Sequence, residues 1–211
     1  MLVIFDWDGT LCDSVDDIVQ AMRAAAQELG TVTPDAAAVR DIVGLGLPQA
    51  IGQLFPELSG SDREKVAEAY SRQYVKVAAG PAILFEGARE MLAQLRTAGC
   101  ELAVATGKSR RGLDRVLSGL GMSDYFDSSR CADETRSKPD PLMLLQILAE
   151  RGRYVTEAIM IGDSEYDLEM AASVGMSSIG VSYGVHSPDR LLRHGPRQII
   201  SHLSELPDLL L

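Results

Sequence analysis

Several features that would place this chain in a specialised class are missing. Its three cysteines, Cys12, Cys100 and Cys131, are scattered and show no C-x-x-C or other zinc spacing. A disulfide framework and a structural zinc site are therefore excluded, and a reduced, cytoplasmic setting is expected. No stretch approaches the roughly 20 apolar residues that span a bilayer. The opening apolar run, Leu2–Phe5, is cut short by Asp6 and has no basic leader, so neither a signal peptide nor a membrane partner is expected. Runs of Lys and Arg are absent too. Twenty bases against thirty acids leave a net charge of −10, a field that repels polyanions and excludes nucleic acid as a partner. A small anionic substrate stays compatible with that charge if a metal cation or a few placed lysines receive it. There are no repeats and no low-complexity tracts. What remains is a globular composition, 46% hydrophobic and 24% charged over 211 residues, enough for one domain or one and a half.

Four short apolar runs stand out: Leu2–Phe5, Leu102–Ala105, Ala158–Ile161 and Ser178–Val181. Each is continuous rather than alternating, as strands buried on both faces of a parallel sheet require. Between the later runs, Glu86–Ala98, Arg110–Gly119, Pro141–Gly152 and Glu165–Val174 carry apolar residues at helical spacing. Gly99, Gly121, Gly152 and Gly175 stand where helix ends favour a left-handed residue. The segment after the first strand is different, with four helical patterns and no strand: Val15–Leu29, Pro34–Val43, Leu47–Phe55 and Asp62–Ala79. Thr33-Pro34 offers an N-cap followed by proline at the first helical position. The expected architecture is α/β, a Rossmann-like parallel sheet with helices on both faces plus a small all-α cap. Residues 1–13 and 82–211 form the core and 14–81 the cap, with Gly80-Pro81 and Glu86-Gly87 at the return.

Polar residues cluster where the strands end. Leu2–Phe5 runs into Asp6-Trp7-Asp8-Gly9-Thr10, Leu102–Ala105 into Thr106-Gly107-Lys108, and Ala158–Ile161 into Gly162-Asp163-Ser164. Open α/β sheets bind ligands at the carboxyl ends of their strands. Helix capping accounts for any one of these residues, but Asp6 and Asp8 cannot both cap one helix. Other motifs fail on position. Gly107-Lys108-Ser109 lacks the upstream glycine of a phosphate-binding loop, and Gly44-Leu45-Gly46 has Gln49 at the third glycine position. Gly162-Asp163-Ser164 has Tyr166 where a nucleophile elbow needs glycine. Asp6-x-Asp8 and Asp163-x-Glu165-x-Asp167 lack the glycine of a calcium loop. His186, His194 and His202 form no metal spacing and read as ordinary surface residues.

Taken in order, Asp6-Trp7-Asp8-Gly9-Thr10-Leu11, Thr106, Lys138-Pro139-Asp140-Pro141 and Gly162-Asp163-Ser164-Glu165-Tyr166-Asp167 resemble the four motifs of the haloacid dehalogenase superfamily. The helical insert after the first motif is similar to the cap of the subgroup containing phosphoglycolate phosphatase and β-phosphoglucomutase. Glu86-Gly87 departs from the Pro-Gly common there, at a hinge with no evident chemical role. The resemblance implies a phosphatase acting on a small phosphorylated metabolite, phosphoglycolate-like or a sugar phosphate, with Mg²⁺ as cofactor. It makes Asp6 the nucleophile and Asp8 the general acid and base, a division that suits phosphoryl transfer through an aspartyl-phosphate. It gives the metal to the side chains of Asp6 and Asp163 and the backbone carbonyl of Asp8, with Asp167 supporting them one helical turn along. Thr106, Gly107 and Lys138 are the expected phosphate-binding residues.

Read as residues alone, Lys138 is either a solvated lysine or one presented rigidly by its proline-flanked loop, where Asp140-Pro141 reads as the N-cap and first turn of a helix. Lys108 faces either the site or solvent. Trp7 packs at the strand end, and Cys12 serves as a small buried hydrophobe. Asp8 argues against the dehalogenase and phosphonate-cleaving branches. A phosphomutase of the β-phosphoglucomutase type is the alternative within the resemblance, and a non-catalytic α/β binding protein the alternative outside it. Specificity is expected around Val43–Gln49. The particular ester and the oligomeric state leave no mark in the sequence.

Overall fold

The first apolar run forms β1 (Leu2–Phe5), with every side chain buried. The chain then builds four helices before returning to the sheet: α1 (Val15–Glu28), α2 (Ala36–Asp41), α3 (Leu47–Leu54) and α4 (Gly60–Val77). From there helices and strands alternate: α5 (Ala88–Thr97), β2 (Glu101–Thr106), α6 (Arg110–Gly119), β3 (Ser128–Cys131), α7 (Leu142–Arg151), β4 (Ala158–Gly162), α8 (Glu165–Ser173), β5 (Ser177–Val181), α9 (Pro188–Leu192), β6 (Gln198–Ile200) and α10 (Leu206–Leu210). This computed structural model describes all 211 residues. No helix in it is long and apolar enough to cross a membrane.

All six strands are parallel, in the order β3-β2-β1-β4-β5-β6. The chain leaves β1 toward β2 on one side and later returns to its other side as β4, which makes the carboxyl end of β1 the switch point where such sheets bind ligands. Period-two geometry divides each strand between two cores. Val3, Phe5, Leu102, Val104, Ile159 and Ile161 pack with α5, α6 and α10 on one face. Leu2, Ile4, Ala103, Ala105, Ala158 and Met160 pack with α7 and α8 on the other. Each fully buried Leu, Ile or Phe side chain contributes about 1.5–3 kcal/mol, so a strand loaded on both faces is anchored at both.

A third cluster belongs to the helical insert. Val15, Ile18, Val19, Met22 and Ala26 put a stripe at spacings of three and four on α1, packed with Val39, Ile51 and Val66, and α1 lies along α4. Tyr166 of α8 joins this cluster.

The structure departs from the sequence reading at several places. β3 and β6 were not expected, because the polar segment Ser128-Ser129-Arg130-Cys131 and the three-residue Gln198–Ile200 are short edge strands. The α2 cap is Asp35 rather than Thr33, its carboxylate accepting from the Ala38 N–H at 2.7 Å. At α7, Asp140 accepts from the Leu142 N–H at 3.0 Å, with Pro141 preceding the first helical residue. Gly99, Gly121, Gly152 and Gly175 all have positive φ, as their positions imply.

Candidate active site

Asp6 follows β1 directly, its N–H donating to the Ile161 carbonyl at 2.9 Å. Its Oδ1 accepts from Lys138 Nζ at 2.6 Å, and the same ammonium donates to Asp167 Oδ1 at 2.6 Å. Asp6 Oδ2 is buried and has no hydrogen-bond partner. Asp163 follows β4. Its Oδ1 accepts from the Thr10 hydroxyl at 2.8 Å and its Oδ2 from the Val185 N–H at 2.9 Å. Asp167, on the first turn of α8, accepts through Oδ2 from the Ser164 hydroxyl at 2.6 Å and the Ser164 N–H at 3.2 Å. Two glycines let Asp163 fit. A Cβ on Gly9, whose φ is +87°, would fall 2.2 Å from Asp163 Oδ2, and one on Gly184 would fall 2.1 Å from Asp163 Cβ.

These carboxylates crowd one another in a buried pocket. Burial drives the Asp6 carboxyl well above the ordinary carboxylate range; Lys138 opposes this, while Asp167 and Asp163 add to it. Burial, with Asp167 next, pushes Asp163 up to about 7. Burial works against the Lys138 ammonium, but Asp167 and Asp6 outweigh it and hold the group charged.

The donor set fits a divalent cation. Asp6, Asp163 and Asp167 each offer an oxygen, all within 4.8 Å of one another, while one ammonium answers three carboxylates and one oxygen stays unpartnered. Hard oxygen donors with uncompensated negative charge suit Mg²⁺ rather than a soft metal. Asp167 gives one oxygen to the Lys138 ammonium and the other to Ser164, whereas Asp163 accepts only from neutral donors, which favours a supporting part for Asp167.

Asp8 faces elsewhere. Its carboxylate accepts from the Ser14 hydroxyl at 2.5 Å and from Lys108 Nζ at 2.7 and 2.9 Å. Lys108 also donates to the Tyr74 hydroxyl, 3.1 Å away on α4. Thr106 closes β2, fully buried, its hydroxyl accepting from the Lys108 N–H at 3.2 Å. Asp6, Asp8, Thr106, Gly107 and Lys108 line one cavity between sheet and insert. Lys138 lies outside that lining, beneath Asp6. Gly107 is needed for contact with the insert, since a Cβ there would fall 2.5 Å from the Leu45 carbonyl oxygen. The insert is also tied down by the Gly46 N–H, which donates to Ser137 Oγ at 2.8 Å.

The seven expected site residues thus gather at one sheet edge. The matching family profile, described as haloacid dehalogenase-like hydrolase, covers residues 3–181. The chain belongs to this family. A Dickeya dadantii protein named "Probable phosphatase IndB" is 37% identical over 97% of this chain and 91% of its own length. A phosphoglycolate phosphatase from Vibrio vulnificus is 31% identical over all of this chain and 96% of its own. The crystal structure of a hydrolase from Pseudomonas syringae superposes with a TM-score of 0.90 over 100% of this chain and 97% of that one; at 23% identity it speaks for the fold alone.

Some working residues escaped the sequence reading. Ser14 and Tyr74 carry no local motif and reach Asp8 and Lys108 only through the fold. Ser164 escaped too, although its spacing to the expected Asp167 is that of a capping box, a signal the sequence does contain. His186 is a correction: it is buried, not a surface residue. Its Nδ1 accepts from the Glu165 N–H at 2.9 Å, which leaves Nε2–H to donate to the Asp41 carbonyl at 3.2 Å. Burial, then Arg190, lowers its pKa and keeps the ring neutral. Trp7 and Cys12 pack in the core as expected.

Proposed function

We propose that this chain is a Mg²⁺-dependent phosphatase that hydrolyses a phosphate monoester through an aspartyl-phosphate on Asp6. The observation that carries the reading is Asp6 itself, buried, with one oxygen held by Lys138 and the other without a partner. A carboxylate in that state is positioned but unspent.

Asp6 attacks phosphorus and the ester P–O bond breaks. The Asp8 carboxyl gives its proton to the departing alkoxide. Asp8, now ionised, takes a proton from water as that water attacks phosphorus. The Asp6–phosphorus bond breaks, and inorganic phosphate leaves. Ser14 and Lys108 fix the Asp8 carboxylate for both transfers. The Thr106 hydroxyl and the Gly107 N–H hold phosphoryl oxygens, and Lys138 balances the charge of Asp6. Mg²⁺, held by Asp6, Asp163 and the Asp8 carbonyl with Asp167 in support, would neutralise the repulsion between carboxylates and phosphate.

Residues 14–81 act as the cap that covers the site and excludes water. The relatives named above bear phosphatase rather than mutase names, and no observation favours the phosphomutase. A buried carboxylate with one oxygen left free of hydrogen bonds supports turnover over passive binding. The three buried, unpaired cysteines suit a reducing cytoplasm.

The test is hydrolysis of p-nitrophenyl phosphate with Mg²⁺ and after chelation. Turnover is expected with the metal, and its loss on chelation and in Asp6→Asn, whose amide is a poor nucleophile. Asp6→Asn protein that keeps most of its activity would overturn the reading.

A further inference from the structure

The cavity above Asp6 is far larger than a two-carbon or small sugar ester requires. It measures about 800 Å³ and falls in the size class of sites that hold drug-sized ligands. This volume persists with the insert in contact with the sheet edge at Gly107 and Ser137, so it is not a gap left by an undocked insert. Its walls are of two kinds. Ile18, Met22, Ile42 and Leu47 present an apolar surface, continued by the Tyr70 and Tyr74 rings, whose centroids are 5.8 Å apart.

The other wall is cationic. In a chain with thirty acids and twenty bases, the only carboxylates in the lining are Asp6 and Asp8, against Arg72, Lys76, Lys108, Arg111 and Arg115. Arg72 is neutralised by Glu28 at 2.8 Å and Lys108 by Asp8 at 2.7 Å. Lys76, Arg111 and Arg115 have no ion-pair partner, and Arg115 lies 5.5 Å from the centroid of the Tyr74 ring. At about 1.5 Å of rise per helical residue, Arg115 stands on the order of 10 Å along α6 from the phosphate-binding turn.

We infer that the ester taken by this site is that of a bulky, largely apolar alcohol carrying a second negative charge, with the apolar body against the insert and the charge at Arg111 and Arg115. This rests on the phosphatase reading above and names its substrate class. The phosphate takes the floor beside Asp6, Thr106 and Gly107. The second charge must sit well beyond the reach of the carboxylate in phosphoglycolate.

The test compares kcat/KM for methyl phosphate, phosphoglycolate, naphthylmethyl phosphate and a ring-carboxylated naphthylmethyl phosphate. All four leave as primary alkoxides, so differences report binding of the alcohol. The naphthylmethyl ester is expected to exceed phosphoglycolate by about tenfold or more, and the ring carboxylate to add about fivefold. In the Arg111→Gln/Arg115→Gln protein the two naphthylmethyl esters should become nearly equal. Because that last readout is a ratio within one protein, an altered amount of folded enzyme does not affect it. Phosphoglycolate matching the bulky esters, or a carboxylate gain that survives the double substitution, overturns the inference while the phosphatase reading stands. Failure of p-nitrophenyl phosphate and all four esters together overturns both.

Discussion

Lys138→Met is the most informative single perturbation of the site. The side chain is fully buried between Asp6 and Asp167, 2.6 Å from each, and methionine keeps most of its volume, so the cavity contribution is small. What is lost is the ammonium. Asp6, Asp163 and Asp167 would then face one another across at most 4.8 Å. Two unit charges at that distance repel by about 3–4 kcal/mol at an effective dielectric near 20. Removing one partner of a buried ion pair costs about 3–5 kcal/mol, and this cluster has three anions to leave exposed to one another. Metal-free Lys138→Met protein at pH 8 should therefore lose about 3–5 kcal/mol, read as a shift of roughly 2 M in the urea midpoint. The loss should shrink at pH 5.5, where the high carboxyl pKa values of Asp6 and Asp163 allow protonation, and again with millimolar Mg²⁺ at pH 8. A loss under about 1 kcal/mol, or one indifferent to both pH and metal, would refute the charge accounting.

Two further outcomes follow from the same geometry. The Asp163 carboxyl, pushed up to about 7, binds its proton more readily in the folded chain than in the unfolded one, where its pKa is about 4. Its burial is therefore tolerated at low pH and destabilises the metal-free protein as pH rises from about 4 through 7. Urea melts should show metal-free Asp163→Asn gaining up to about 4 kcal/mol relative to wild type at pH 8, with no gain at pH 4 and no stabilisation by Mg²⁺; a difference that does not vary with pH counts against this. Gly107→Ala drives a Cβ to 2.5 Å from a backbone oxygen of the insert, so a destabilisation of about 1–3 kcal/mol and a raised KM are expected. Gly119→Ala, in α6 with nothing within 4 Å, should instead stabilise by up to about 1 kcal/mol; equal effects at the two sites would show that the contact with the insert is unimportant.

The sequence disclosed what is carried by local runs. β1, β2, β4 and β5 are central strands loaded on both faces, so each carries a buried, largely apolar run that is legible. β3 and β6 stand at the edges, where burial no longer dictates composition, and no run marked them. Within the site, Asp6, Asp8, Thr106, Lys138, Asp163 and Asp167 were legible because each follows a strand or sits in a distinctive motif. The hydrogen bonds between them were not. Thr10 meets Asp163 across 153 residues of chain and Lys138 meets Asp6 across 132, contacts that only the switch-point topology creates. Lys108 could not be placed from its neighbours because its partners, Asp8 and Tyr74, are 100 and 34 residues away. His186 misled for the same reason, since its burial depends on Asp41 and Glu165 arriving from other elements.

In the proposed mechanism Asp6 carries the phosphoryl group between ester and water. Acid quenching of wild-type enzyme during turnover with Mg²⁺, followed by peptide mass spectrometry, tests it most directly. A phosphoryl adduct is expected on the peptide containing Asp6, with none in Asp6→Asn and none without metal. Steady turnover with no adduct, or an adduct on another residue, would contradict it.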